Sequence, residues 1–286
     1  MSEEIIVAQQ TDNISGTIQA SGAKNSALKL MTASILGQGK SVIKNVPDIS
    51  DIHVMSAVLS TIGASVDRSD HQLAIDTSTV DKWETPYKLV SKMRASISVL
   101  GPLVGRFGRA RVAMPGGCQI GARKIDMHLI GMEQLGVEFK MDHGYLIAET
   151  PNGLHGGDIV LEFPSVGATE NTMMAATVAK GHTTIDNAAC EPEIHDLANF
   201  LCEMGAHIEG AGTSSIHIEG VPLSSMHPAE HTTVGDRIEA GTFLVGGALL
   251  GGPVTVTGVN PEHLHMPLIK LRQMGCDVDC TDDSIT

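Results

Sequence analysis

Residues 202–209 read CEMGAHIE, and the same phrase returns at 60–67 (STIGASVD), 133–140 (EQLGVEFK) and 272–279 (RQMGCDVD). Each time an apolar residue and a glycine close a helical pattern, and an alternating run begins. The glycines are Gly63, Gly136, Gly205 and Gly275, at intervals of 73, 69 and 70 residues. So regular a period marks a repeat architecture and outranks any reading element by element.

Outward from that phrase the order of patterns is constant. A helical stretch opens each unit: NSALKLMTASIL, ASISVLGPLVGRF, TENTMMAATVAK and IEAGTFLVGGALL. A glycine follows, as the C′ position of a helix prefers. Then comes a β-rich strand (KSVIKNV, ARVAM, HTTIDNA, PVTVTGV), a second amphipathic helix ending at the shared glycine, and two short strands. With a preceding strand this is a βαβαββ unit. One such unit cannot bury both faces, so several must pack helices against sheets. Three complete units predict one domain over residues 22–230. Residues 1–21 and 231–286 are then an incomplete second domain, because the fourth unit stops at DDSIT within its expected last strand. The N-terminal EEIIVAQQ and ISGTIQASG carry two strand patterns without a helix, and are expected to pair with the fourth unit.

Composition narrows the function. Of 286 residues, 42% are hydrophobic and 18% charged, which suits a globular chain. No apolar run reaches the roughly 18 residues of a membrane span, and the acidic start is unlike a signal peptide, so no membrane insertion and a cytoplasmic location are expected. Five cysteines, an odd and scattered set, do not make a disulfide framework. The net charge of −14 argues against nucleic acid as a partner. It leaves room for a small anion if the few cations gather in one place.

They recur at one place in the repeat. Lys24, Arg94 and Arg237 open the first helix of units one, two and four. A cation at a helix N-terminus is locally unfavourable, since the dipole there prefers anions. Repeating that choice suggests binding of phosphate or carboxylate, with a salt bridge as the other reading. Asp236 offers Arg237 a ready partner. Unit three has SVGATEN instead, whose small residues leave backbone N–H groups accessible.

The connection between middle strand and second helix runs about five to seven residues in units one, three and four. In unit two it grows to about ten, PGGCQIGARK. An enlarged glycine-rich loop is a place for function and can act as a lid. Cys118, between glycines and five residues before Arg123, is expected to have a lowered pKa and to act as nucleophile or proton donor. Cys190 and Cys202 fit inert buried cysteines better. The HLH at 263–265 and CDVDC at 276–280 lack a second pair at ligand spacing, so no metal is expected. Absence of a GxGxxG fingerprint removes support for a nicotinamide cofactor, and no cofactor is expected.

The stretches SGAKNSALKLMTASIL, MRASISVLGPL, PGGCQIGARKIDMH, SVGATEN, EPEIHDLANFL and GDRIEAGTFL together resemble the enolpyruvyl transferases, in the branch that acts on UDP-N-acetylglucosamine. The resemblance runs along the whole chain in order. It implies an inside-out α/β barrel fold of two domains with three βαβαββ units each, hence about 420 residues in all at this period. It implies transfer of the enolpyruvyl group of phosphoenolpyruvate to the sugar 3-hydroxyl, the first committed step of peptidoglycan synthesis. By the same resemblance Lys24 and Asn25 hold phosphoenolpyruvate, Asn25 also facing the sugar, and Arg94 contacts the nucleotide sugar or its phosphates. Cys118 donates a proton to phosphoenolpyruvate C3 and is the thiol that fosfomycin alkylates. Arg123 neutralises phosphate charge. Arg123, Lys124, Ile125, Asp126 and Met127 line the uridine-diphosphate pocket, with Asp126 toward the uracil. Ser165, Val166 and Gly167 contact the diphosphate.

Phe163 stands where some members have lysine, and Cys190 where a basic residue often precedes EPEI. The family's sugar-deprotonating aspartate and late arginines would fall beyond Thr286. A nucleotide-sugar-binding fragment without turnover therefore stays open beside the transferase. A related transferase acting on shikimate phosphate lacks the cysteine loop and the uridine-pocket residues.

Overall fold

All four repeat glycines have positive φ: 105° at Gly63, 87° at Gly136, 105° at Gly205 and 92° at Gly275. Only glycine adopts this conformation without strain, so the recurring phrase is a helix stop. It leads directly into a strand after Gly63, Gly136 and Gly205, whereas after Gly275 the next strand is Ser284–Ile285 and the one expected before it does not form. The computed structural model describes residues 7, 9–90, 93–114 and 125–286. It divides into two units, Gly22–Val234 and a second made of Met1–Ser21 with Gly235–Thr286.

After β1 (Gly16–Gln19), which belongs to the second unit, the first repeat runs α1 (Lys24–Ala33), β2 (Lys40–Lys44), α2 (Ser50–Thr61), β3 (Ser65–Ser69) and β4 (Gln72–Asp76). The next runs α3 (Tyr87–Val90), a 3-10 turn Arg94–Val99, α4 (Leu100–Phe107), β5 (Arg109–Ala113), α5 (Asp126–Glu133), β6 (Glu138–Asp142) and β7 (Tyr145–Glu149). The third runs β8 (Asp158–Val160), α6 (Val166–Ala176), β9 (His182–Asp186), α7 (Pro192–Glu203), β10 (His207–Glu209) and β11 (Ser215–Glu219), and β12 (Glu230–Thr232) follows.

Each repeat builds its own sheet. The orders are β8-β9-β11-β10, β12-β2-β4-β3 and β5-β7-β6. The leading pairs β8–β9 and β12–β2 are parallel, and a parallel bridge from Glu84 to Arg111 takes that place beside β5. The remaining pairs are antiparallel. Thus β12, coming from the far end of the unit, supplies the leading strand of the first repeat, with Glu230 opposite Val42.

Helices occupy the middle. Every residue of α1 from Ser26 to Ala33 is buried, as is every residue of α6 from Ala168 to Ala176. The strands alternate between buried and open positions, as sheets covered on one face do. Close helix approach depends on glycine. A Cβ at Gly101 of α4 would lie 2.4 Å from the Asn171 carbonyl oxygen, and one at Gly131 of α5 would lie 2.4 Å from Thr172 Oγ1.

In the second unit β1 pairs in parallel with β13 (Val254–Thr257), Gly16 opposite Val254, and β14 (Ser284–Ile285) adds antiparallel to β13. Helices α8 (Arg237–Leu250) and α9 (His265–Gln273) bury Leu244, Leu268 and Leu271 with Val256 and Ile285. Asp236 caps α8, its Oδ1 accepting from the Ile238 and Glu239 amides at 2.8 and 3.1 Å.

Two further expectations are corrected. The continuous helix read from ASISVLGPLVGRF is a 3-10 turn followed by α4. Pro102 lacks the N–H that an α-helix needs there to bond the Ser98 carbonyl. Cys190 and Cys202 are exposed, not buried. Cys202 falls outside the face of α7 formed by Ile194, Leu197, Phe200 and Leu201. No helix among the described residues is long and apolar enough to cross a membrane.

Candidate active site

The first turn of α1 has no side-chain cap and no acidic residue, so its amides are not satisfied by the means helices usually employ. Lys24 opens it, with Nζ 3.1 Å from Asp51 Oδ2 of α2, and Asn25 is exposed. Entry into the helix is tightly set. A Cβ at Gly22 would sit 1.6 Å from the Asn45 carbonyl oxygen, and the Ala23 amide donates to the Val234 carbonyl at 2.7 Å. Glycine in SGAKN is therefore a packing requirement.

Arg94 opens the 3-10 turn of the second repeat and is partly buried. Its charge reaches His128 on α5, a residue 6% exposed. Asn171 of α6 fixes the histidine's protonation. Asn171 Oδ1 accepts from the Gly101 amide at 3.0 Å, so its Nδ2 is the donor, to the Ile97 carbonyl at 3.1 Å and to His128 Nδ1 at 2.9 Å. Nδ1 is then the acceptor and the proton sits on Nε2. Burial first, then the positive charges of Arg94 and Lys29, push the His128 pKa down to about 4. Neutral His128 lies against the start of α6. A Cβ at Gly167 would meet its Cε1 at 2.9 Å and Nε2 at 3.0 Å. Ser165, the N-cap of α6, accepts from the Ala168 amide at 3.4 Å, and Ser165, Val166 and Gly167 are all half-buried.

One buried ion pair joins α1 to α6. Lys29 Nζ lies 3.0 Å from Glu170 Oε2 and donates to the Asn25 carbonyl at 3.4 Å. Among the described residues neither Glu170 oxygen has a partner in good hydrogen-bond geometry. Burial raises the Glu170 pKa, Lys29 opposes this, and Glu193 and Glu191 add to the rise.

Among the expected site residues, these contacts link the elements bearing Lys24 and Asn25, Arg94, and Ser165 to Gly167. Ile125, 7% exposed, caps α5; Asp126 is exposed at its first position, where a carboxylate suits the dipole, and Met127 packs partly on the core. Cys118, Arg123 and Lys124 lie outside the described residues. Sequence reasoning passed over His128 and Asn171, which end the stretches PGGCQIGARKIDMH and SVGATEN. The only sequence signal was a polar residue on a face that should be apolar.

Residues 8–286 match the family model of EPSP synthase (3-phosphoshikimate 1-carboxyvinyltransferase). The chain is 48% identical to the UDP-N-acetylglucosamine 1-carboxyvinyltransferase of Chloroherpeton thalassium, over 99% of this chain and 66% of that protein. It is 46% identical to UDP-N-acetylglucosamine 1-carboxyvinyltransferase 1 of Staphylococcus aureus, over 98% of this chain and 67% of the relative. Among solved structures, the enolpyruvyl transferase NikO from Streptomyces tendae superposes with a TM-score of 0.84 at 26% identity, over 96% of this chain and 65% of that one. The chain thus spans just under two thirds of the first relative's length.

Proposed function

From the premise that this chain belongs to the EPSP synthase (3-phosphoshikimate 1-carboxyvinyltransferase) family, we propose that it serves enolpyruvyl transfer from phosphoenolpyruvate to the 3-hydroxyl of UDP-N-acetylglucosamine. Its relatives named for that reaction, at 46 and 48% identity, favour this acceptor over shikimate phosphate. The observation that carries the reading is the packing of His128 against Gly167 at the start of α6, tied through Asn171 to the 3-10 turn that Arg94 opens; backbone amides there, with the Arg94 guanidinium, would face a diphosphate. Lys24 and Asn25 would hold phosphoenolpyruvate, and Asp126 with Ile125, Met127, Arg123 and Lys124 would line the uridine pocket.

In the proposed chemistry the Cys118 thiol gives its proton to phosphoenolpyruvate C3, leaving an oxocarbenium-like centre at C2. The sugar 3-hydroxyl attacks C2 and loses its proton. Loss of a C3 proton and departure of phosphate then restore the double bond. An acid with a pKa near neutrality and cations around the phosphate are what these steps require. Their place would be the cytoplasm, at the entry to peptidoglycan synthesis.

The test is phosphate release on mixing the protein with both substrates, beside mass spectrometry after fosfomycin and the nucleotide sugar. Phosphate release that requires the sugar, with an adduct on Cys118, supports the reading. An adduct on Cys202 instead, or no binding of UDP-N-acetylglucosamine, overturns it. Binding without release identifies the nucleotide-sugar-binding alternative.

A further inference from the structure

The larger unit buries a second polar cluster that the functional reading leaves unused. His231 of β12, its side chain 8% exposed, sets both ring nitrogens on carboxylates of α7. Nε2 is 2.9 Å from Asp196 Oδ1 and Nδ1 is 2.8 Å from Glu203 Oε2. A neutral imidazole has one N–H and one lone pair, and here that lone pair would point at a carboxylate oxygen. Both contacts are hydrogen bonds to carboxylates only when both nitrogens carry protons. His231 is therefore an imidazolium, and Asp196 and Glu203 are the charged groups that face it. From β2, Ile43 lies opposite it in register, and the Phe200 ring is 5.6 Å away. Burial lowers its pKa, but the bonds and charges of Asp196 and Glu203 prevail and raise it.

The cluster continues to the candidate site. Asp196 Oδ2 accepts from Ser26 Oγ and from the Val234 amide at 3.4 Å. Ser26 lies in the first turn of α1, and the Val234 carbonyl takes the Ala23 amide at 2.7 Å. Asp196 thus holds the turn bearing Lys24 and Asn25 directly through Ser26 and indirectly through Val234. This is no hydrolytic triad. The carboxylate stands between serine and histidine, and Ser26 and Asp196 are closed to solvent.

We propose that His231 is a positioning residue: as an imidazolium it fixes Asp196, Asp196 fixes the first turn of α1, and loss of its proton loosens Lys24 and Asn25 and weakens binding of a phosphate-bearing ligand there. The ligand part rests on the functional reading above; the coupling within the protein does not.

The two separate in one NMR titration of the 15N-labelled chain from pH 6 to 10, repeated with phosphoenolpyruvate. The expected result is His231 protonated at both ring nitrogens at pH 7, and Lys24 and Asn25 amide resonances that move with the histidine's midpoint. Asp196→Asn should abolish that shared midpoint. Affinity for phosphoenolpyruvate should fall about tenfold across it in the natural protein and stay level in His231→Gln. A neutral His231 at pH 7, or Lys24 and Asn25 amides that ignore its titration, overturns the inference, and the natural chain alone decides this even where a variant fails to fold. Absence of phosphoenolpyruvate binding at every pH with the amide coupling intact overturns the functional reading and leaves the coupling standing.

Discussion

His128 Nδ1 accepts a hydrogen bond from Asn171 Nδ2 at 2.9 Å, and that amide also ties α6 to the Arg94–Val99 turn and to α4. Asn171→Leu removes three buried side-chain bonds while roughly keeping volume. The Ile97 carbonyl keeps the Leu100 amide, so the Gly101 amide and His128 Nδ1 are left unpaired. At about 1–3 kcal/mol each, the larger unit should lose about 2–6 kcal/mol in urea unfolding.

Burial of the same histidine, with the charges of Arg94 and Lys29, sets a pH dependence. His128 titrates near the ordinary 6.5 when unfolded and at about 4 in the fold. Above pH 6.5 it is neutral in both states and contributes no slope. As pH falls below 6.5 the unfolded chain takes up a proton that the folded one refuses, so stability drops until about pH 4. Urea unfolding from pH 8 to 4 should show a loss of about 3 kcal/mol that is absent in His128→Gln.

Gly167→Ala brings a methyl to 2.9 Å from a ring that Asn171 holds in place. Overpacking of this kind costs about 1–3 kcal/mol. Thermal unfolding should report that loss, and calorimetry should show weaker UDP-N-acetylglucosamine binding.

The Lys29–Glu170 pair is nearly closed to water, with side chains 10% and 1% exposed. Lys29→Met leaves a buried carboxylic group without its cation and should cost about 3–5 kcal/mol. The double variant Lys29→Met, Glu170→Leu removes both charges and should recover most of that stability, as paired urea titrations would read.

What could be read from the sequence follows from how local each signal is. The stop at Gly63, Gly136, Gly205 and Gly275 needs only a few residues, and all four have the positive φ that the phrase implies. The enolpyruvyl transferase fold rested on such stretches, and the likeness to NikO bears it out. Strand β12 escaped because EHT is short and polar, and its partner β2 lies some 188 positions earlier. Cys202 sits beside the apolar positions of α7 by spacing, yet it falls just off the buried face. His128 and Asn171 escaped for a related reason: a polar pair in a helical core is defined by its partner, and a helical pattern shows only that the position is inward. His231 gains its role from Asp196 and Glu203 on another element, which no local pattern carries.

The most direct measurement is isothermal calorimetry of UDP-N-acetylglucosamine binding, with Arg94→Ala and shikimate 3-phosphate as the comparisons. The account predicts that the protein binds the nucleotide sugar, that Arg94→Ala weakens it about tenfold or more, and that shikimate 3-phosphate gives no heat of binding. Equal affinity in Arg94→Ala, or preference for shikimate 3-phosphate, would contradict it.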